Sequence, residues 1–350
     1  MNDTVDISII IPVYHTDPAQ LRTALASVTS LTVPYECVVV FDGEPEPALA
    51  DVVNEFDETY VRALMIEHAG VSVARNAGIE AAHGRWLTFL DSDDRLIGEG
   101  LESLVRFGVA VDCQIVQGVY LKESNGMLER CALTDSTHRY AGEQGLSDFM
   151  AATLEVDRGV ALAWSKIYDR GFILQSGVRF DPALSVDEDT LFVLDAVAKA
   201  DAIGFNPVDM YAYQRHEESQ VMTFREDYAQ SVRIALNKMK EHVDRFGDRK
   251  VQEAYLQHVV FYVLLLMLHY VFNAANGWST KERRAAFKRI LDDPMYAYAI
   301  RHAHLDSFGL GKRISVFALR LRSYGLMKRI CAIRDRQLGK TGNVVAMTGQ

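Results

Sequence analysis

Ten residues, Arg85-Trp86-Leu87-Thr88-Phe89-Leu90-Asp91-Ser92-Asp93-Asp94, restrict the architecture of this chain more than any others. Trp86–Leu90 is bulky and almost wholly apolar, the pattern of a strand buried on both faces of a parallel sheet. It stops in three carboxylates within four residues. An extended chain puts Asp91 and Asp93 on one side and turns Ser92 to the other. Carboxylates converging at a strand's carboxyl end repel one another unless a cation sits between them. Mg²⁺ and Mn²⁺ take such oxygen ligands and are commonly completed by substrate phosphates. A solvated acidic turn capping the next helix fits the same residues, so the rest of the chain has to decide.

The preceding segments alternate strand and helix. Ile7–Tyr14 (ISIIIPVY) is a β-branched run suited to a buried first strand. Asp17 can cap a helix with Pro18 at its first position and Gln20 completing a capping box, and that helix carries Leu21, Leu25 and Val28. Glu36–Phe41 reads as a second strand closed by Asp42-Gly43, and Ala63–Ile66 as a weaker third. Gly70–Ile79 opens a helix, with Ser72 as its cap and Gly84 after its end, before the Trp86 strand. This alternation predicts a mostly parallel sheet with flanking helices, where ligands lie outside the carboxyl ends of the strands. Tyr14, Asp42, Asp91 and Asp93 all fall there. A helix start at Ser72 attracts phosphate through free N–H groups, and Arg75 can aim a planar guanidinium at the same anion. A local salt bridge on a solvated face is the competing reading for Arg75.

Gln114–Leu121 and Met127–Leu133 flank Asn125-Gly126, a hairpin signal that makes the sheet mixed. Gly159–Tyr168 leads to a helix near Gly171. The acidic triplet Asp187-Glu188-Asp189 precedes a helix with Leu191, Leu194, Val197 and Ala198 inward, and acids at that position also complement the helix dipole. A short strand, Met210–Gln214, runs into Arg215-His216, where the histidine is either structural or a metal ligand. Beyond about residue 225 the chain turns to helix formers: Tyr228–Phe246, Val251–Phe272, Lys281–Leu291, Met295–His304 and Ile314–Arg334. Val259–Val271 is too apolar for a surface stripe and predicts a buried core helix. Its greasiest run, Val259–Met267, is about half of the ~20 residues that cross a bilayer. In the last segment Ile314, Phe317, Ala318, Leu321 and Tyr324 keep helical spacing with arginines opposite, and Gly325 weakens the helix by ~1 kcal/mol relative to Ala. Such a helix suits a membrane surface or an acidic partner, or packs on its own domain with its arginines in water.

The chain has 350 residues and a net charge of −10, which argues against a nucleic-acid binder. Residues 305–340 hold nine Lys/Arg against Asp306 and Asp335, or +7, so the remainder carries −17. The four cysteines form no C-x-x-C pair, indicating neither a zinc site nor a disulfide framework. Ile7–Val13 is too short for a signal h-region, so a cytoplasmic protein is expected, peripheral on the inner face of the membrane if the basic helix binds lipid.

Taken together, IIIPVY, the DG after the second strand, GVSVARNAGI, WLTFLDSDD, AWSKIY, EDTLF and YAYQRHEES resemble, in order and spacing, a family 2 glycosyltransferase of the GT-A fold over residues 5–220. The resemblance implies a GT-A-like, mostly parallel mixed sheet at 1–222 with a helical C-terminal region at 223–350. It implies inverting sugar transfer from a nucleotide diphosphate donor, UDP by family frequency, to a glycan or lipid-linked acceptor, with Mn²⁺ or Mg²⁺. By similarity Pro12, Val13, Tyr14 and Asp42 hold the base, Arg75 sits by the diphosphate or base, and Asp91 with Ser92 contacts ribose or sugar. Asp93 ligates the metal, His216 is a further metal or phosphate contact, Asp189 of the Glu188-Asp189 pair is the general base, and Trp164 and Lys166 are acceptor-side or loop residues. Gln214-Arg215-His216 departs from the Tyr-Arg-x-His of many relatives. A nucleotidyltransferase, lacking here a Gly-rich basic phosphate loop, and a non-catalytic sugar-nucleotide sensor or scaffold are the alternatives.

Overall fold

The computed structural model describes residues 5–124, 127–155, 159–214 and 224–343. The chain divides into two compact units, residues 1–153 with 157–215 and residues 154–156 with 216–350, where the sequence pattern had put a boundary at 222/223.

In the first unit Ile7–Val13 (β1) is buried at every position, as an unbroken β-branched run requires in a strand covered on both faces. Asp17 caps Pro18–Val28 (α1), accepting from the Ala19 N–H at 2.7 Å. Tyr35–Asp42 (β2), Pro47–Asn54 (α2), Val61–Ile66 (β3), Val71–Ala81 (α3) and Trp86–Phe89 (β4) complete an alternating first half. β1 pairs in parallel with β2 and β4, and β2 with β3, so the four carboxyl ends share one edge. Gly78 of α3 lies so close to Ile10 that a Cβ there would overlap the isoleucine side chain. Only glycine lets α3 press directly onto β1.

The second half of the unit comprises Arg95–Leu96 (β5), Gly98–Val111 (α4), Ile115–Ser124 (β6), Met127–Cys131 (β7), His138–Ala141 (β8), Gly142–Leu154 (α5), Lys166–Asp169 (β9), Arg170–Ser176 (α6), Glu188–Lys199 (α7) and Ala202–Gln214 (β10). The sheet runs β3-β2-β1-β4-β9-β6-β10-β5, with β7 on β6 and β8 on β10. β9 is antiparallel to both β4 and β6, which makes the sheet mixed as expected. β6 and β7 pair antiparallel down to Ser124↔Met127, while the Asn125-Gly126 turn lies outside the described residues.

Three expectations change here. α2, α4, α5, β5 and β8 were not read from the sequence: glycines punctuate α4, β5 is two residues long, and β8 (HRYA) has no apolar alternation. β10 is 13 residues long, not a short end strand. Its pairing with β6 shifts register between Phe205 and Asp209 and again before Tyr211, irregularities that accommodate Pro207 inside a strand. The cap of α3 is Gly70 at φ 95°, not Ser72, which sits in the first turn, buried.

The second unit is helical. Tyr228–Phe246 (α8) ends at Gly247, and Asp248 caps Arg249–Leu265 (α9), which continues as a π-helical turn, Leu266–Val271. Thr280–Asp292 (α10) starts with a Ser279/Glu282 capping box, and Asp293 caps Pro294–His302 (α11). α9 packs against α8, α11 and Leu310–Arg320 (α12), burying Val251, Tyr255, Val259, Val260 and Val263. The helical stretch Arg249–Val271 has 23 residues and a mean hydropathy of 1.6 over its most apolar window, so it is long and apolar enough to cross a bilayer, contrary to the reading from Val259–Met267 alone. Just over half of that window, 56 %, is buried within the protein. The single helix expected at Ile314–Arg334 is two, α12 and Tyr324–Asn343 (α13). The break falls at Arg322, φ 49°, whose guanidinium bonds the Leu291 carbonyl and Asp292 at the end of α10. Gly325, the expected weak point, lies inside α13.

Candidate active site

The shared edge of β1, β2 and β4 gathers the first group of polar residues. Pro12 and Val13 are the last residues of β1, and Val13 is buried. Tyr14 follows, half exposed, with its ring stacked on His68 at 4.4 Å and 13°. Asp42 ends β2 and is buried. Its carboxylate accepts from the Ala69 N–H at 2.7 Å, the Gly70 N–H at 2.9 Å and lies 3.0 Å from His68 Nδ1. The positive φ of Gly70 turns the chain so that both N–H groups reach one carboxylate, a conformation costly for any residue with a Cβ. Asp42 therefore organises the β3–α3 loop beneath the exposed Tyr14/His68 pair.

The acidic stretch after β4 is not extended. Asp94 N–H bonds the Asp91 carbonyl at 3.1 Å, so residues 91–94 form a turn and the alternating placement expected for Asp91 and Asp93 does not apply. Ser92 is buried and its hydroxyl pairs with Thr16 at 2.6 Å. Asp94, given no role from the sequence, is the buried brace: it accepts from Tyr211 Oη and the Gln214 N–H, both at 2.7 Å. Burial first, then the neighbouring Asp91 charge, pushes the Asp94 carboxyl up to about 8. Tyr211 Oη also accepts from the Asp91 N–H at 3.2 Å. Asp93 is half-buried.

Arg75 joins this turn to the start of α7. The arginine is 4 % exposed, and its guanidinium bonds Asp189 Oδ1 at 2.6 Å and Asp91 Oδ1 at 2.9 Å, with Glu188 Oε1 at 3.6 Å. The local salt bridge on a solvated face is excluded: its partners lie 16 and 114 residues away. Burial works against its charge, but Asp189, Asp91 and Glu188 overcome that and raise its pKa. Arg75 Nε and Ser72 Oγ are buried without a partner among the described residues.

Burial raises Asp189, and Arg75 pulls it partly back. The helix-start argument, which favours the ionised form, is thus outweighed by desolvation. Glu188 goes up to about 7, by burial and by the Asp189 charge, with Arg75 opposing. Asp189 Oδ2 accepts from the Ala163 N–H at 3.1 Å. That peptide and the next are themselves held: Lys166 Nζ donates to the Leu162 carbonyl, and Tyr168 Oη to the Ala163 carbonyl at 2.9 Å.

Lys166 is a strand residue with no exposed surface, which corrects its placement as an acceptor-side or loop residue, and burial lowers its pKa to about 7. Trp164, 4 % exposed, stacks on Tyr211 at 4.4 Å and 11° and meets Tyr120 edge-on. It is the wall behind the residue that carries Asp94. His216 and Arg215 lie outside the described residues. Sequence reading missed Tyr211, Tyr168 and Asp94; the only signal was tyrosine recurrence in YAYQ, which does not reveal its partners.

Residues 8–137 match the family described as Glycosyl transferase family 2. The chain is 27 % identical over 224 residues to the uncharacterized glycosyltransferase YibD of Escherichia coli (strain K12), covering 63 % of this chain and 64 % of that one. It is 25 % identical over 224 residues to the poly(ribitol-phosphate) beta-glucosyltransferase of Bacillus spizizenii (strain ATCC 23059 / NRRL B-14472 / W23), covering 62 % of this chain and 33 % of that one. The match thus spans less than two thirds of either relative. The solved structure of S. aureus TarS 1-349 in complex with UDP-GlcNAc superimposes with a TM-score of 0.64 at 18 % identity, over 95 % of this chain and 92 % of that one. The match to residues 8–137, the mixed sheet and the superposition agree with the motifs read from the sequence: residues 8–137 carry a family 2 glycosyltransferase domain, and the fold is GT-A-like with a helical C-terminal region.

Proposed function

We propose that the chain transfers a sugar from a nucleoside diphosphate donor to a hydroxyl of a glycan or lipid-linked acceptor, with inversion at the anomeric carbon. One observation carries this reading: a buried Arg75 ties Asp91, at the carboxyl end of β4, to Asp189 at the start of α7. A donor-side carboxylate and a candidate base are thereby fixed about one guanidinium. Tyr14, His68 and the Asp42 loop offer a flat aromatic face for the base, and the uridine diphosphate sugar bound by TarS supports a uridine donor. The poly(ribitol-phosphate) relative supports a polyol-phosphate polymer as acceptor.

Asp189 takes the acceptor proton as its hydroxyl attacks opposite the leaving diphosphate. Burial moves its pKa toward working pH, where a base is most effective. Arg75 faces the negative charge that grows on the diphosphate. Among the described residues no cluster of three or more His, Cys, Asp or Glu makes a ready-made metal site. Asp93 nevertheless fits Mg²⁺ or Mn²⁺, because these ions accept one or two carboxylates and complete their shell from substrate phosphates. Asp93 would hold the ion, with His216 as the second protein ligand, and the ion would supply charge neutralisation at the leaving group.

The test is nucleotide release from a panel of sugar nucleotides with Mn²⁺, Mg²⁺ or EDTA. Slow, metal-dependent hydrolysis of one donor, lost in Asp93→Ala, is expected. Donor binding by thermal shift without release, even with ribitol-phosphate oligomers present, would point instead to a sugar-nucleotide sensor.

A further inference from the structure

α12 carries apolar residues on two opposite faces. Val316, Ala318 and Leu319 are buried in the second unit. Leu310, Ile314, Phe317 and Leu321 recur every three or four residues on the other side, at 75, 47, 58 and 58 % exposure. At 100° per residue these four fall within one narrow stripe. The helical spacing of Ile314, Phe317 and Leu321 was legible in the sequence, but the stripe points to solvent, and of its expected members Ala318 is buried.

The charge around the stripe identifies its occupant. No Asp or Glu occurs from residue 307 to residue 334, which hold seven Lys or Arg. Arg313 and Arg320 edge the stripe, and their guanidinium groups bond main-chain carbonyls: Arg313 those of Phe308 and Asp306, Arg320 those of Ile300 and Ala303. These bonds fix the two guanidinium groups through neutral carbonyls rather than carboxylates. A cavity of about 630 Å³ opens between α11 and α12, with Tyr298, Arg301, His302, Arg320 and Arg322 on its wall. An exposed apolar stripe beside guanidinium groups fixed by main-chain carbonyls, on a segment without Asp or Glu from 307 to 334, complements a plane of phosphates over acyl chains.

We propose that α12 lies on an anionic bilayer surface, with Leu310, Ile314, Phe317 and Leu321 at the acyl boundary and Arg313, Arg320 and Arg301 against lipid phosphates. This does not depend on the transferase reading. The test is co-sedimentation of the full chain with vesicles of phosphatidylcholine alone and of phosphatidylcholine with 30 % phosphatidylglycerol, in low salt and in 0.5 M NaCl. Binding to the anionic vesicles only, weakened by salt and reduced at least tenfold in Ile314→Ser/Phe317→Ser, is expected. Both substituted residues are exposed, so the variant's unchanged melting curve shows that folding is not the cause. Absence of binding to either vesicle, or equal binding by the variant, overturns the proposal. So does a concentration-dependent dimer that the variant abolishes, which assigns the stripe to a second copy.

Discussion

Glu188→Gln should stabilise the first unit, and only above a definable pH. Glu188 is held near Asp189 and Arg75 in a largely desolvated place, and its carboxyl rises from the ordinary 4.5 to about 7. A carboxyl raised in the folded state binds its proton more tightly there than in the unfolded chain. Folding is therefore unpenalised below pH 4.5 and progressively penalised as pH rises through 7. At about 1.4 kcal/mol per pH unit the ceiling is about 3.4 kcal/mol, already net of the attraction to Arg75, and about 1–3 kcal/mol is the working expectation. A glutamine keeps the volume and cannot ionise. Its gain should be about 1–3 kcal/mol at pH 8 and fade to nothing near pH 4.5. In a Trp278→Phe background, Trp86 and Trp164 report the first unit alone, and urea midpoints at pH 5 and pH 8 give the difference. A pH-independent effect, or a variant less stable at pH 8, would refute the reasoning. Removing the Glu188 charge also lets Asp189 ionise at lower pH, so the acid limb of the pH–kcat profile should move down.

Arg75→Met leaves Asp91, Glu188 and Asp189 without their common cation and should cost about 3–5 kcal/mol; urea unfolding measures it. Arg75→Lys should recover little, because a single ammonium cannot reproduce the two-pronged reach to Asp189 and Asp91. Lys166→Met should cost no stability at pH 7, where the buried amine is held against its ordinary charge state. It should lower kcat about tenfold, since the Leu162–Ala163 peptide that orients Asp189 loses the side-chain donor on its carbonyl. Asp42→Asn should weaken donor binding in calorimetry by about tenfold, by loosening the 68–70 loop at a cost of about 1–2 kcal/mol.

How far the sequence led depended on whether a residue's role is local. β1, β2, β4, α1 and α8 follow from periodicity and caps, because a β-branched run or an Asp-Pro start specifies its own neighbours. The strand-end positions of Tyr14, Asp42 and Asp91 follow from the same alternation. What failed were inferences about which distant side chains meet. Arg75 looked like either a surface ion pair or a phosphate contact, and nothing in GVSVARNAGI says that residues 16 and 114 positions away meet it. The protonation of Asp189 was argued from its helix end, a first-turn effect typically worth 0.3–1 kcal/mol, whereas burial acts on the whole charge.

The same distinction explains the tail. Ile314, Phe317 and Leu321 keep a helical period that fits either an outward binding face or a core face, and the structure turns them outward. A helix with one apolar stripe must bury it, but α12 has two. Val316 and Leu319, lying between the obvious positions, pack into the second unit and leave the stronger stripe outside. Periodicity ranks faces by hydrophobicity; packing chooses among them by shape. The choice of the weaker face for the core is the costlier arrangement in water alone, since four large side chains stay exposed there. It is retained at no such cost if the outer face has a second apolar phase to enter, which is why the vesicle experiment bears on the fold of this unit as well as on its location.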